Sequence, residues 1–185
     1  MFSKILIKLI DEAIIPAVVV LSMRIISIVI VSQAVGTQLS LGTSGFVFTD
    51  QLLFKKVNSY SVLIMIICIA LGILFILAKA FMFHNTHIKP GVTARLFSYN
   101  LHSLIQNSYD LYSQGAIWIS YLFMLVLVTG GLAFFGSVYI WVSTFGFFTF
   151  LVCIVLFIID IEKEIKRDDS EKPIYDTDTS FLENV

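Results

Sequence analysis

Between positions 111 and 159 the chain carries 49 residues without an Asp, Glu, Lys or Arg, most of them Leu, Ile, Val, Phe, Tyr or Trp. A helical crossing of a bilayer takes about 20 apolar residues, so this run spells two crossings joined by a tight turn. Gly130, Gly131, Gly136 and Ser137 fall where that turn must lie. Helices are therefore expected near 115–134 and 138–160. Two earlier apolar runs, 14–35 and 60–83, complete a set of four. The fold class expected is an all-α membrane protein, with four transmembrane helices, two interfacial amphipathic helices and both termini cytoplasmic.

The segments between the crossings carry different patterns. In 1–13, Phe2, Ile5, Leu6, Leu9, Ile10 and Ala13 share one helical face and Ser3, Lys4, Lys8, Asp11 and Glu12 the other. That is the pattern of a helix lying in the membrane interface. A secretory signal peptide fits less well, since acids precede the apolar run and no small-residue cleavage site follows. Pro16 falls near the start of the first crossing, where a missing backbone donor costs least. Residues 36–59 read as a polar connector. Apolar positions alternate there around Gly42-Thr-Ser-Gly45, so a short β-hairpin or an irregular loop is expected. After Lys89-Pro90-Gly91, the spacing of Phe97, Leu101, Leu104, Ile105, Leu111 and Tyr112 gives the second interfacial helix, about 92–112, with a small helix packed on the bundle as the alternative. Residues 161–185 are charged, contain Pro173 and read as an acidic disordered cytoplasmic tail.

Composition agrees, at 58% hydrophobic, 14% charged and a mean hydropathy of +0.93. The net charge of −1 hides a partition: from Asp160 onward there are nine acids and four bases, before it eight bases and four acids. With four crossings, Lys4, Lys8, Lys79, Lys89, Arg95, Lys163, Lys166, Arg167 and Lys172 share the side of the termini, and only Lys55 and Lys56 lie opposite. The basic side is the cytoplasmic one, which suits a multi-pass protein of the plasma (cytoplasmic) membrane. Cys68 and Cys153 both lie in apolar runs and read as small packing residues, with no disulfide framework.

Arg24 changes the picture most. Counted along its crossing it falls near the bilayer midplane, where a charge costs about 2.5–3.5 kcal/mol on insertion scales. Ala17, Ser27 and Ala34 lie broadly on its side, and no Asp or Glu of the chain lies at that depth. The partner is then a neutral group, a boundary carboxylate, water or another polypeptide. A guanidinium that snorkels would lean toward the helix N-terminus. Arg24 and, near the end of its crossing, Lys79 are the candidate partner or ion contacts. Cys68 and Gly72 on the second crossing, and Gly146, Thr149 and Cys153 on the fourth, are candidate helix-packing positions.

Chemistry is thin elsewhere. His84, His87 and His102 have the spacing of a zinc or haem site, but no cysteine or carboxylate completes it, and interfacial polarity is the simpler reading. Asp176-Thr-Asp178-Thr resembles the start of a phosphotransfer aspartate motif without the buried strand such a motif needs. No nucleophile–base set, phosphate loop or dinucleotide fingerprint is present, and no internal repeat suggests a transporter core. The expectation is a non-enzymatic subunit or scaffold of a larger membrane assembly. It needs no cofactor or metal and binds no nucleic acid; its contacts are the lipid bilayer and another membrane protein or a second copy of itself. An oligomeric channel or transporter protomer using Arg24 is the alternative. Four crossings describe many unrelated proteins, so topology alone carries no function.

Overall fold

The computed structural model describes residues 2–37, 40–42, 45–48, 50–83, 90–100 and 108–171. Its elements in chain order are α1 (Phe2–Val35), β1 (Ser40–Gly42), β2 (Gly45–Val47), α2 (Gln51–Phe83), α3 (Pro90–Ser98), α4 (Ser108–Phe134) and α5 (Ile140–Glu171). Four of the helices contain segments long and apolar enough to cross a membrane: Glu12–Val35, Gln51–Phe81, Tyr109–Phe134 and Ile140–Lys166. The chain is a multi-pass bundle.

α1 is continuous from Phe2, so the separate helix expected over 1–13 and the first crossing are one element. Pro16 is buried inside it, about 28 Å before its C-terminal end rather than at a helix start. Both α1 and α4 stop through the same device. Gly36 and Gly136 adopt left-handed backbone angles (φ 73° and 74°), which a glycine adopts without strain. The amides of Thr37 and Gly36 then turn back to the carbonyls of Ser32 and Gln33, and those of Ser137 and Gly136 to Leu132 and Ala133. These pairs satisfy carbonyls that the helix end leaves free.

α2 starts nine residues before the expected 60, because Asp50 caps it: its Oδ1 accepts the Leu52 amide at 3.0 Å. The strands of the expected hairpin form, with Ser40 opposite Val47, Leu41 opposite Phe46 and Gly42 opposite Gly45. The single helix expected over 92–112 is divided. α3 ends at Ser98 with Asn100 at φ 57°, residues 101–107 lie outside the described part, and 108–112 belong to α4. The expected tail is helical through Glu171, steadied on its surface by Lys166 and Glu162 one turn apart (2.7 Å). Residues 172–185 lie outside the described part.

α2 and α4 pack together at the centre, and α1 and α5 each pack on both of them. The middle of the bundle is dry: Ile66, Ile69 and Ile73 of α2 and Leu122 of α4 have no solvent contact. Small residues set the helix separations. Gly72 lies against the Trp118 ring, Gly115 against Phe157, and Gly146 against Ile66 and Val126. Cys153 is buried in the same core, Cys68 is half-buried, and the Thr149 hydroxyl bonds back to the Phe145 carbonyl of its own helix.

Candidate functional site

The polar interior of the bundle is concentrated where α1, α2 and the α4–α5 turn meet. Ser27, Ser32, Asn58, Ser59 and Ser61 are all buried there. Arg24 reaches into this group. Its Nη1 donates to Ser61 Oγ at 3.1 Å and its Nη2 to Asn58 Oδ1 at 2.5 Å. Ser27 Oγ stands 2.6 Å from Ser61 Oγ and 3.2 Å from the Arg24 carbonyl. One arrangement of hydroxyl protons satisfies the whole set: Ser61 donates to Ser27, Ser27 donates to the Arg24 carbonyl, and Arg24 donates to Ser61. The loop is closed on itself.

Asn58 ties this loop to the rest of the fold. While Oδ1 accepts from Arg24, Nδ2 donates to the Ser137 carbonyl at 3.0 Å. Next to it, Ser59 Oγ accepts the Tyr139 amide at 2.9 Å, and Lys55 Nζ sits 5.2 Å over the Tyr139 ring. Helix α2 thus grips the α4–α5 turn with consecutive residues. All of Arg24's hydrogen-bond partners among the described residues are neutral, and none of the described carboxylates pairs with it.

The contacts also fix the relative levels of the helices. Ile140 and Asp160 are 20 residues apart on α5, or about 30 Å at 1.5 Å per residue. That equals the roughly 30 Å of a bilayer's hydrocarbon. At the far end, Tyr112 donates to Asp160 Oδ2 (3.4 Å) and Ser113 to Glu12 Oε2 (2.8 Å), which brings polar groups of α1, α4 and α5 to one level. Lys79 of α2 lies 21 residues from Asn58, so it belongs to this second boundary. Ser27 is level with Ser61, and Asn58 lies three residues nearer the loops, so the guanidinium is about 5 Å below the turn. By that register the last turn of α1 stands above the level of Asn58, and the Arg24 guanidinium leans toward the helix C-terminus, against the usual direction.

Of the residues singled out from the sequence, the structure gathers Arg24 and Ser27 and leaves Ala34 exposed. Lys79 is at the opposite end of the bundle from Arg24. His84, His87 and His102, and Asp176 and Asp178, lie outside the described residues. Among the described residues no group of three or more His, Cys, Asp or Glu could hold a metal. Asn58 was missed because 36–59 looked like a connector, Ser61 because it opened an otherwise apolar crossing, and Ser137 was read only as part of the α4–α5 turn. The Asp50 cap was the available signal: a helix begun there carries Asn58 and Ser61 one turn apart, on one face. No protein-family model, curated protein or solved structure matches this chain.

Proposed function

We propose that this protein is a non-enzymatic subunit or scaffold of a larger membrane assembly, in the plasma membrane with both termini on the cytoplasmic side. The observation that carries the reading is the charge of Arg24. Two hydrogen bonds to neutral side chains orient the guanidinium without neutralising it, and a charge within hydrocarbon is expensive unless something pairs with it. A residue on α1 held by two side chains of α2, and still carrying its charge, is suited to pairing with a group brought by another chain.

The orientation follows from the basic residues. Nine lie on the side of the termini, and Lys55, Lys56 and the Arg24 head on the other, which fits the positive-inside rule. The channel or transporter alternative finds less support. Ile66, Ile69, Ile73 and Leu122 seal the middle of the bundle. The hydroxyls of Ser120, Thr129, Thr144 and Thr149 bond to their own helix backbones and line no continuous path. A conducting route would have to run between protomers.

Extraction in mild detergent with size analysis and identification of co-purifying membrane proteins tests the reading. A stable complex with defined stoichiometry is expected. A protein that leaves the membrane as a lone monomer, from native membranes and at native abundance, would overturn it.

A further inference from the structure

We propose that Arg24 is the docking point for a carboxylate carried by a second membrane-spanning helix, within the third of the bilayer nearest the α4–α5 turn. This rests on the subunit reading and names the chemistry of the partner. Three observations carry it. The guanidinium is prepositioned, since Asn58 is itself fixed by Ser137, and Ser61 by Ser27. Its protein hydrogen bonds use one donor on each of Nη1 and Nη2, which leaves three of the five guanidinium N–H groups for a further acceptor. Its level, about 5 Å from the α4–α5 turn and inside the apolar span Glu12–Val35, is one at which a neighbouring helix can place a side chain directly.

Charge complementarity then selects among acceptors. A neutral acceptor would complete the hydrogen bonding and leave the charge; a carboxylate does both, in the parallel two-bond geometry that guanidinium favours. At 1.5 Å per residue, the partner's Asp or Glu lies about three or four residues inside the end of its apolar segment on the loop side. The Arg24 head is only half-buried, so the seam between α1 and α2 leaves it reachable.

The test uses the full-length protein, donor-labelled, in phosphatidylcholine vesicles with acceptor-labelled Leu/Ala peptides of about 21 residues. One peptide carries Glu about four residues from its loop-side end, a second carries Gln there, and a third carries Glu at the same distance from the other end. Energy transfer should show the first binding at least about tenfold tighter than the other two. That comparison needs no variant of the protein. Arg24→Leu, checked for helicity and thermal unfolding, should lose the preference, and Arg24→Lys should keep part of it because it keeps charge without the planar fork.

Equal binding of the Glu and Gln peptides would overturn the proposal, as would a Glu preference that ignores depth or survives in Arg24→Leu. So would loss of the preference when about 30 mol% phosphatidylglycerol is added, which would assign the site to a lipid phosphate. If the peptides fail while native partners still co-purify, only the carboxylate is wrong; if the native protein is monomeric, the subunit reading falls whatever the peptides do.

Discussion

Asn58 accepts a hydrogen bond from the guanidinium of Arg24 with one end of its amide and donates to the Ser137 carbonyl with the other. One side chain of α2 thereby joins an intramembrane charge on α1 to the turn that connects α4 and α5. An amide suits this position because it offers an acceptor and a donor at once, which no hydroxyl or carboxylate can do with the same reach.

Replacing Asn58 should therefore loosen two contacts together. Asn58→Leu strands an arginine donor and a partly buried carbonyl, and a loss of about 2–4 kcal/mol is expected. Asn58→Asp keeps the arginine's acceptor, supplies a counter-charge and loses only the bond to Ser137, so it should cost less. Reversible unfolding in mixed micelles, followed by circular dichroism, measures both. A Leu variant as stable as the parent would show that Asn58 does not anchor the turn.

The glycines separate into crowded and open positions. A methyl group at Gly72 meets the Trp118 ring, and one at Gly115 meets Phe157, whereas nothing stands within 4 Å of a methyl at Gly131. Gly72→Ala and Gly115→Ala should each lose about 1–3 kcal/mol through forced repacking. Gly131→Ala should be neutral or gain up to about 1 kcal/mol from helix propensity. The same unfolding assay ranks them, and equal effects at all three positions would contradict the packing described.

Topology has a direct readout. Gln51 and Lys166 are exposed at opposite ends of the bundle. In a Cys68→Ala, Cys153→Ala background, Gln51→Cys and Lys166→Cys should react with an impermeant maleimide from opposite sides of a sealed vesicle. Reaction of both from one side would rule out the four-crossing arrangement.

The end of the chain offers a graded truncation. The sequence of residues 172–185 carries few large apolar groups. Stopping after Glu171 should leave insertion and unfolding unchanged. Stopping after Asp160 removes Ile161, which packs on the central core, and should lower the unfolding midpoint. A large loss from the shorter deletion would mean that the acidic segment docks on the bundle.

What the sequence by itself determined was everything that depends on total apolar length and local turn chemistry. The uncharged run of 49 residues required two crossings, and Gly36 and Gly136 mark helix ends because left-handed backbone favours glycine. The isolated charge of Arg24 was legible for the same reason: in an apolar helix a single guanidinium has nothing to hide behind. Hydropathy could not say where helices extend past the membrane, since a helix continues in water as readily as in lipid. The first turns of α2 and the last turns of α5 were therefore read as loop and tail.

Register and partners were decided only by tertiary structure. The level of Arg24 relative to α2 follows from Ser27 standing opposite Ser61, a register that neither helix specifies alone. Its acceptors are an amide and a hydroxyl 34 and 37 residues away, and the Ser137 carbonyl that fixes the amide is 79 residues beyond Asn58. Neutral hydrogen-bonding groups are scattered through any sequence. Which of them meet a charge is settled when helices pack, because hydrogen bonds act over about 3 Å while periodicity records only which face each residue is on.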